Sequence, residues 1–262
     1  MKKLEELLNI SDIDPENIND IFREIAETLM TNYIIKKGEK RYAIIEIEFY
    51  LYTPQHKDFI TYPRNLEAGR WFFHESGVDL TFKTDEKPSV LKIKDKNKKD
   101  IEKLIYKDCS FGGILIRGLY QFSWEDKELI DHNARYIFGP QKVVNELWDD
   151  FDALKVNYEE YPIVTEASEE NIKIRKDLVR HKRHIKIGKD KQKKKVYDWA
   201  ERLGFNANTI EIDLKKKIDE YNNELFNPNI NSYLYRFFNI IDGDNTWDAI
   251  KHLTKTEKKE LK

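Results

Sequence analysis

The alternating stretch AIIEIEFYLY, residues 43–52, constrains the fold of this chain more than any other segment. Residues two apart on a β-strand point to the same face, so the stretch divides into two stripes. One stripe is wholly apolar and consists of Ile45, Ile47, Phe49 and Leu51. The other stripe combines one isoleucine with two acids and two tyrosines, namely Ile44, Glu46, Glu48, Tyr50 and Tyr52. The pattern predicts a strand that buries one face in a core and places two carboxylates side by side on the other.

The acidic stripe has two interpretations, between which periodicity does not decide. Antiparallel sheets commonly expose one face to water, where charged side chains cost little free energy. Alternatively, the stripe lines a pocket, in which a carboxylate acts as a general base and a tyrosine ring stacks on a flat substrate.

The composition favours a folded protein with a sizeable core. The chain has 262 residues, of which 40% are hydrophobic, and its many charges nearly cancel to a net charge of −2. This balance lacks the overall basic character that duplex-DNA binders usually show. A single cysteine, Cys109, excludes an intramolecular disulfide and a cysteine-rich metal site. The chain has neither an apolar run near the ~18 residues of a membrane span nor a typical signal peptide, so we expect a cytoplasmic protein without a membrane partner.

The order of predicted elements favours the α+β class, with a curved antiparallel sheet. Cap residues and apolar spacing predict a helix that starts near Asp14 and Pro15. A buried strand is predicted at residues 112–122, and a second helix is predicted to begin at Pro140. Residues 53–70 have no clear period and are predicted to form a long functional loop. The region after residue 195, including residues 231–241, is predicted to be mostly helical. We therefore expect an α+β domain over residues 1–195 and a helical C-terminal extension over residues 196–262 that packs on it.

A series of short motifs in a fixed order resembles the alkyladenine (3-methyladenine) DNA glycosylases. The series begins with Glu46, Glu48 and Tyr50, which resemble the Glu-x-Glu-x-Tyr strand end of the family. The later matches, in chain order, are His56, Pro63-Arg64-Asn65, WFFHESG, GGILIRGL with Arg117, and the helix start Gly139-Pro140-x-Lys142. The resemblance covers residues 20–150. It implies one mixed domain around a curved antiparallel sheet, which flips a damaged purine into a pocket and hydrolyses its N-glycosidic bond without metal or cofactor.

The resemblance also implies roles for individual residues. Glu48 matches the family's general base, which would deprotonate a water aimed at the anomeric carbon and stabilise the cationic sugar. Tyr50 would stack on the excised base, and His56 would bind the sugar-phosphate or close the pocket. Arg117 would hold the water or the carboxylate. The residues that complete the predicted substrate-binding surface are Glu46, Phe73 and His74.

A basic segment is predicted to contact nucleic acid. Residues 173–195 hold 12 Lys and Arg against 2 Asp. Clustered cations bind backbone phosphates, although a solvated charge run explains the same composition. The cations that we assign to nucleic-acid binding are Arg64, Arg180, Lys182, Arg183, Lys186 and Lys189.

Two departures from the family bear on the substrate. The family inserts a tyrosine into the duplex just before a glycine, whereas this chain has Ser76 before Gly77, and Asp79 stands where the family is apolar. The hydrolytic strand is thus kept without the duplex-piercing residue. This leaves open a DNA glycosylase of altered target, a hydrolase of free nucleosides or nucleotides, and a relative that binds without cutting. We expect a monomer, and because the spacing of His56, His74 and Asp79 fits no zinc pattern, we predict no metal site.

Overall fold

The computed structural model confirms the α+β class and the curved antiparallel sheet. It describes residues 3–10, 14–84, 86–94, 97, 99–122, 135–149, 160–174, 176–181, 201, 203–205 and 236–239. The helices whose bounds are described are α1 (Leu4–Leu7), α2 (Ile18–Asn32) and α3 (Pro140–Trp148), with 3-10 turns at Pro15–Asn17 and Ala167–Glu170. The strands are β1 (Tyr33–Lys37), β2 (Lys40–Tyr52), β3 (Trp71–His74), β4 (Gly77–Thr81), β5 (Ser89–Lys94), β6 (Asp100–Ile105), β7 (Phe111–Gln121), β8 (Arg135–Phe138), β9 (Ile163–Glu166), β10 (Leu178–His181) and β11 (Arg236–Asn239).

Nine of the described strands form one sheet that curls into a half-barrel. Its main path runs β10-β11-β2-β7-β4-β3, and every pair is antiparallel. The long strand β2 is central, because β1 pairs with its first residues and β11 with its middle. Strands β4 and β8 pair with successive segments of β7, along the edge that faces away from β2. Strands β5 and β6 form a separate two-stranded ribbon.

The apolar face of the sheet packs against α2 and α3. The Phe22 ring on α2 stacks on that of Phe49 on β2, with ring centroids 4.3 Å apart. Val143 and Leu147 on α3 join the same core. As predicted, the Asp14 side chain caps the entry to the first helical turns by accepting a hydrogen bond from the backbone N–H of Glu16 at 3.0 Å. Burial of this face is the main apolar contribution to folding.

Two β-bulges interrupt the pairing of β2 with β7. Ile45 on β2 and Arg117 on β7 have no directly opposite partner, because the register shifts once at each of them. The bulges send Ile44 into the main core with Ile47 and put Ile45 in a separate cluster on the other face. The strict alternation predicted for Ile44 and Ile45 is therefore wrong, whereas the shared face of Glu46 and Glu48 persists. A period-2 pattern cannot reveal an inserted residue of this kind.

The predicted helix over residues 231–241 is wrong at its described part, because residues 236–239 form strand β11. This strand pairs with β2 and β10, and Phe237 lies edge-on to the Phe49 ring at 5.5 Å. Part of the segment predicted as a helical extension therefore lies inside the sheet. The helix prediction for the rest of residues 206–262 lies outside the described residues.

Within the described segments, no helix has both the length and the apolar character needed to cross a membrane.

The strands β6 and β9 have no counterpart in the sequence-based prediction, since both are short and carry charged residues that obscure an apolar alternation.

Candidate active site

The two acids of β2 are buried on the face opposite to the helices. Glu46 and Glu48 each expose 1% of their surface, although they are charged groups in the middle of a sheet. Buried charges are costly unless other charges and hydrogen bonds compensate them. The solvent-exposed interpretation of the acidic stripe is thus excluded at these two positions.

Two arginines from distant parts of the chain compensate the acids. Arg117 donates from Nε to Oε1 of Glu46 at 2.7 Å and from Nη1 to Oε2 of Glu48 at 3.2 Å. Arg236 on β11 donates from Nε to the same oxygen of Glu46 at 2.9 Å, and its Nη2 lies 2.8 Å from that oxygen. We call these four residues the glutamate–arginine cluster. Its formal charges sum to zero.

The two oxygens of Glu48 have different environments. Oε2 accepts hydrogen bonds from Arg117 and, at 2.8 Å, from the hydroxyl of Tyr50. Oε1 is buried and, among the described residues, has no hydrogen-bond partner. Nε of Arg236 lies 3.7 Å from it, which is too long for a hydrogen bond. One oxygen therefore fixes the carboxylate, and the other retains unused acceptor capacity.

The backbone makes room for the cluster. Arg117 is the bulged residue of β7, so its side chain can reach both acids from one position. The next residue is Gly118, where a Cβ atom would come within 2.8 Å of the Cβ of Glu46 and 3.1 Å of the Phe138 ring. A larger residue at this position would displace Glu46.

The acids control the ionisation of Arg117. Burial acts to lower the pKa of Arg117, but the charges of Glu48 and Glu46 outweigh it and raise that pKa above its ordinary value. Arg117 is thus permanently cationic. Its side chain is 20% exposed and Tyr50 is also partly exposed, so solvent approaches the cluster beside these two residues.

A second polar group lies on the same face, two strands away. Asp79 on β4 is buried between Arg64, whose Nη1 lies 2.8 Å from Oδ2, and His74, whose Nε2 lies 3.0 Å from Oδ1. The backbone N–H of Ser76 donates to Nδ1 of His74 at 3.2 Å, so the ring proton resides on Nε2 and is donated to Asp79. Burial would raise the pKa of Asp79, but Arg64 and His74 together hold it below its ordinary value. We call Arg64, Asp79 and His74 the Arg64 group.

The sheet register aligns the two polar groups. Glu48 lies opposite Leu115 on β7, and Leu115 lies opposite Asp79 on β4. Directly paired residues of an antiparallel sheet point to the same side. Arg236 extends the same row beyond Glu48, since the two are also paired. The row therefore places the backbones of Glu48 and Asp79 about 9.5 Å apart, the width of two strand spacings.

The other predicted site residues are dispersed. Phe73 projects from the opposite side of β3, is 51% exposed and lies edge-on to Trp148. His56 lies in the turn after β2, where its backbone N–H donates to Oγ1 of Thr53. Arg64, assigned from sequence to nucleic-acid binding, is 3% exposed. Arg180 lies beside Phe237 and hydrogen-bonds Asn19 on the helix side of the sheet. The remaining assigned cations, Lys182, Arg183, Lys186 and Lys189, lie outside the described residues.

Two residues of the site were missed by sequence reasoning in different ways. Arg236 was missed because its segment was predicted to be helical, and its partner Glu46 lies 190 positions earlier in the chain. Asp79 was noted only as a departure from the resemblance and, with His56 and His74, as a metal trio of unsuitable spacing. Its position in a short apolar strand was a usable signal, because an isolated acid on a buried strand requires a compensating cation.

In the described part of the chain, no three His, Cys, Asp or Glu side chains form a group that could hold a metal ion. An open cavity of about 400 Å³ lies beside α1 and is lined in part by Glu5, Glu67 and Arg70. Its lining contains no member of the glutamate–arginine cluster or the Arg64 group.

Comparison with known proteins gives one distant similarity. The chain is 28% identical over 163 residues to an uncharacterised protein, L759, of Acanthamoeba polyphaga mimivirus. The match covers 56% of this chain and 66% of that protein, just under two thirds of its length. No protein-family model and no solved structure matches the chain. The chemistry of the site, rather than a relative, therefore carries the functional argument.

Proposed function

We propose that this protein hydrolyses an N-glycosidic bond, with Glu48 as the general base. The observation that carries the proposal is the asymmetry of the Glu48 carboxylate, whose Oε2 is held by Arg117 and Tyr50 while the buried Oε1 has no partner among the described residues. This arrangement suits a general base, because one oxygen is fixed while the other is available to accept a proton from water.

The surrounding charges suit the transition state of glycosidic cleavage. The sugar becomes cationic as its bond to the base breaks, and nearby carboxylates stabilise that charge. Arg117 and Arg236 compensate the acids in the resting protein, so the two carboxylates can be buried before substrate arrives. In this proposal Arg117 holds the general base in place, and Tyr50 orients it through its hydroxyl and offers a partly exposed ring to the substrate.

The proposed substrate is a modified base in nucleic acid, taken into the site from a single strand or by flipping. A free nucleoside is the second candidate, and the β3–β4 hairpin favours it. The tip of this hairpin carries Glu75 and Ser76, and the carbonyl of Glu75 is held by Gln141 at 2.8 Å. Such a tip has no large side chain to fill the gap left by a flipped base.

Release of free base is the direct test of this proposal. Wild-type protein and Glu48→Gln would be incubated with nucleosides and with single- and double-stranded DNA that carry alkylated or deaminated bases, and released base would be quantified by chromatography. We expect wild-type release from at least one substrate and a loss of about 10²–10⁴-fold in Glu48→Gln, the usual contribution of a general base. Thermal denaturation would confirm that the variant is folded.

Two results would contradict the proposal. One is equal release by wild type and folded Glu48→Gln, which would remove Glu48 from the chemistry. The other is the absence of release from every substrate, combined with retained binding to DNA. That combination would support the alternative of a non-catalytic nucleic-acid-binding protein, in which the cluster is structural.

A further inference from the structure

Arg64 has hydrogen-bonding capacity that the protein itself does not use. The guanidinium is fixed by a hydrogen bond from Nε to the carbonyl of Tyr62 at 3.0 Å and by the Phe72 ring, 4.0 Å away. Its Nη1 forms an ion pair with Oδ2 of Asp79 at 2.8 Å, but this contact lacks the geometry of a hydrogen bond. Its Nη2 is buried and has no hydrogen-bond partner among the described residues. Buried donors are nearly always satisfied, so an orphaned arginine nitrogen requires an explanation.

The sheet is adapted to hold this guanidinium beside the proposed catalytic residues. A Cβ at Gly113 would come within 2.7 Å of the Leu80 carbonyl oxygen and 2.9 Å of Arg64 Nη1, so glycine both permits the strand pairing and leaves room for the guanidinium. Gly113 is paired with Tyr50 on one side and with Thr81 on the other. The guanidinium therefore lies over β7, between the strand that carries Glu48 and the strand that carries Asp79.

The charge balance of the Arg64 group indicates what it binds. Asp79 neutralises the arginine, and His74 donates its proton to Asp79 rather than adding a second positive charge. A neutral pair with unused N–H donors suits a carbonyl oxygen or a ring nitrogen better than a fully charged phosphate. It also suits an atom on which negative charge develops only during the reaction, since a fixed donor stabilises such charge most.

The two orphaned atoms complement one another. Glu48 Oε1 can take a proton, Arg64 Nη2 can donate one, and both lie on the same face. A flat heterocycle near Tyr50 and Leu115 would have its sugar bond towards Glu48 and its far edge towards Arg64. This geometry matches a reaction that needs a base at one end and an electrophilic donor at the other.

We propose that Arg64 forms the leaving-group subsite, in which Nη2 donates a hydrogen bond to an acceptor atom of the departing base; this inference rests on the proposed N-glycosidic hydrolysis. Glu48 takes a proton from water, the water oxygen bonds to the anomeric carbon, and the electron pair of the C–N bond leaves with the base. The departing base spreads that negative charge onto the acceptor bound by Arg64. It is then protonated on release, so the products are a sugar with a new hydroxyl group and the neutral base.

Two classes of substrate separate this role from a structural one. An ordinary base such as uracil or hypoxanthine departs as an anion and needs the donor. A base that is already positively charged by ring alkylation, such as 7-methylguanine, departs neutral and does not. Arg64→Lys is the variant of choice, because it keeps the positive charge beside Asp79 but lacks the second nitrogen of the fork.

We expect Arg64→Lys to slow the release of uracil or hypoxanthine by about 10²-fold, as for loss of one preorganised donor, and the release of 7-methylguanine by less than threefold. Equal slowing of both classes, or no slowing of either, would overturn the assignment. Phe72→Leu is a second variant that leaves both charges in place. If Arg64→Lys does not fold, Phe72→Leu should still slow the release of uracil or hypoxanthine more than that of 7-methylguanine, by a smaller factor.

A binding measurement keeps this inference separate from the proposed function. Free uracil and hypoxanthine would be titrated into wild type, Arg64→Lys and Glu48→Gln by isothermal calorimetry. The subsite predicts binding that is lost in Arg64→Lys and kept in Glu48→Gln. If wild type releases no base but binds these bases through Arg64, the hydrolase proposal fails and Arg64 is a base-binding group without a leaving-group role. If wild type binds neither base, the subsite is wrong, whatever the fate of Glu48.

Discussion

Phe49 and Glu48 are neighbours on β2 and are almost equally buried, with 0% and 1% of their surfaces exposed, yet they face environments of opposite kind. Phe49 packs among the rings of Phe22 and Phe237. Glu48 is held instead by Arg117 and Tyr50. The apolar face gains free energy directly from burial, whereas buried ion pairs roughly balance desolvation against attraction.

The difference between the faces indicates which of them exists for stability. Replacement of a buried ion cluster by apolar residues of similar volume is often neutral or stabilising. We infer that the glutamate–arginine cluster is retained for chemistry, while the helix-covered face holds the fold together. The following predictions test this division, from the largest expected effect on stability to the smallest.

Truncation on the apolar face should have the largest effect. Phe49→Ala removes a ring that is fully buried between Phe22 and Phe237, and we expect a loss of about 4 kcal/mol in the free energy of unfolding. The measurement is urea denaturation followed by circular dichroism. Phe73→Ala is the matched control, because Phe73 is 51% exposed, and it should lose less than about 1 kcal/mol. Similar losses in the two variants would refute the assignment of the core.

Removal of one partner from the polar face should cost nearly as much. Arg236→Met leaves Glu46 without one of its two cations, and we expect a loss of about 3 kcal/mol in unfolding free energy. The double variant Arg236→Met with Glu46→Gln should recover most of that loss, because it removes the uncompensated charge as well. Additive losses in the double variant would show that the two residues do not interact as described.

Gly118 tests the close packing beside the acids. Gly118→Ala places a methyl group within 2.8 Å of the Glu46 Cβ, and we expect a loss of about 2 kcal/mol in unfolding free energy. The displacement of Glu46 should also reduce base release more than the loss of stability alone explains. A fully stable and active Gly118→Ala protein would contradict the geometry at this bulge.

The Arg64 group should make stability fall in acid. The folded-state pKa of Asp79 lies below its unfolded value of 3.8, so its ion pair stabilises the fold fully above that value. This contribution is lost as the pH falls through the folded-state pKa. Asp79→Asn should therefore be less stable than wild type at pH 7 and should show a smaller further loss between pH 5 and pH 2. Asp20→Asn, at an exposed position, should keep the pH profile of the wild type.

The rate at which the Cys109 thiol is alkylated tests how closed its surroundings are in the native state. Burial raises the pKa of this thiol to about 11, so only about one molecule in a thousand carries the reactive thiolate at pH 8. Alkylation by iodoacetamide should be slow in the folded protein and become fast in urea. Rapid alkylation without denaturant would show that the surroundings of Cys109 open readily.

The sequence predicts local features of the site better than its long-range contacts. Alternation in β2 correctly places Glu46 and Glu48 on one face, and the order of elements correctly indicates an α+β sheet. The bulges at Ile45 and Arg117 change the register without any compositional signal. Strand β11 was not predicted because the local spacing of its residues resembles that of a helix. Its pairing with β2 joins residues far apart in sequence, and such tertiary contacts override local preferences. The position of Arg236 follows from that pairing, and the ion pair of Arg64 with Asp79 likewise depends on tertiary contacts rather than on local sequence.

The most direct test of the central claim is a comparison of Glu48→Gln with Glu46→Gln in a base-release assay, on a substrate that the wild-type protein cleaves. Both changes remove one buried charge from the same strand and the same cluster, and Glu46→Gln should cost the more stability, because Glu46 contacts both arginines. The account predicts that Glu48→Gln loses at least about 10²-fold in rate, while Glu46→Gln, which acts only by positioning the arginines, loses about tenfold. Equal rates in two folded variants, or a larger loss in Glu46→Gln, would contradict the assignment of Glu48 as the base.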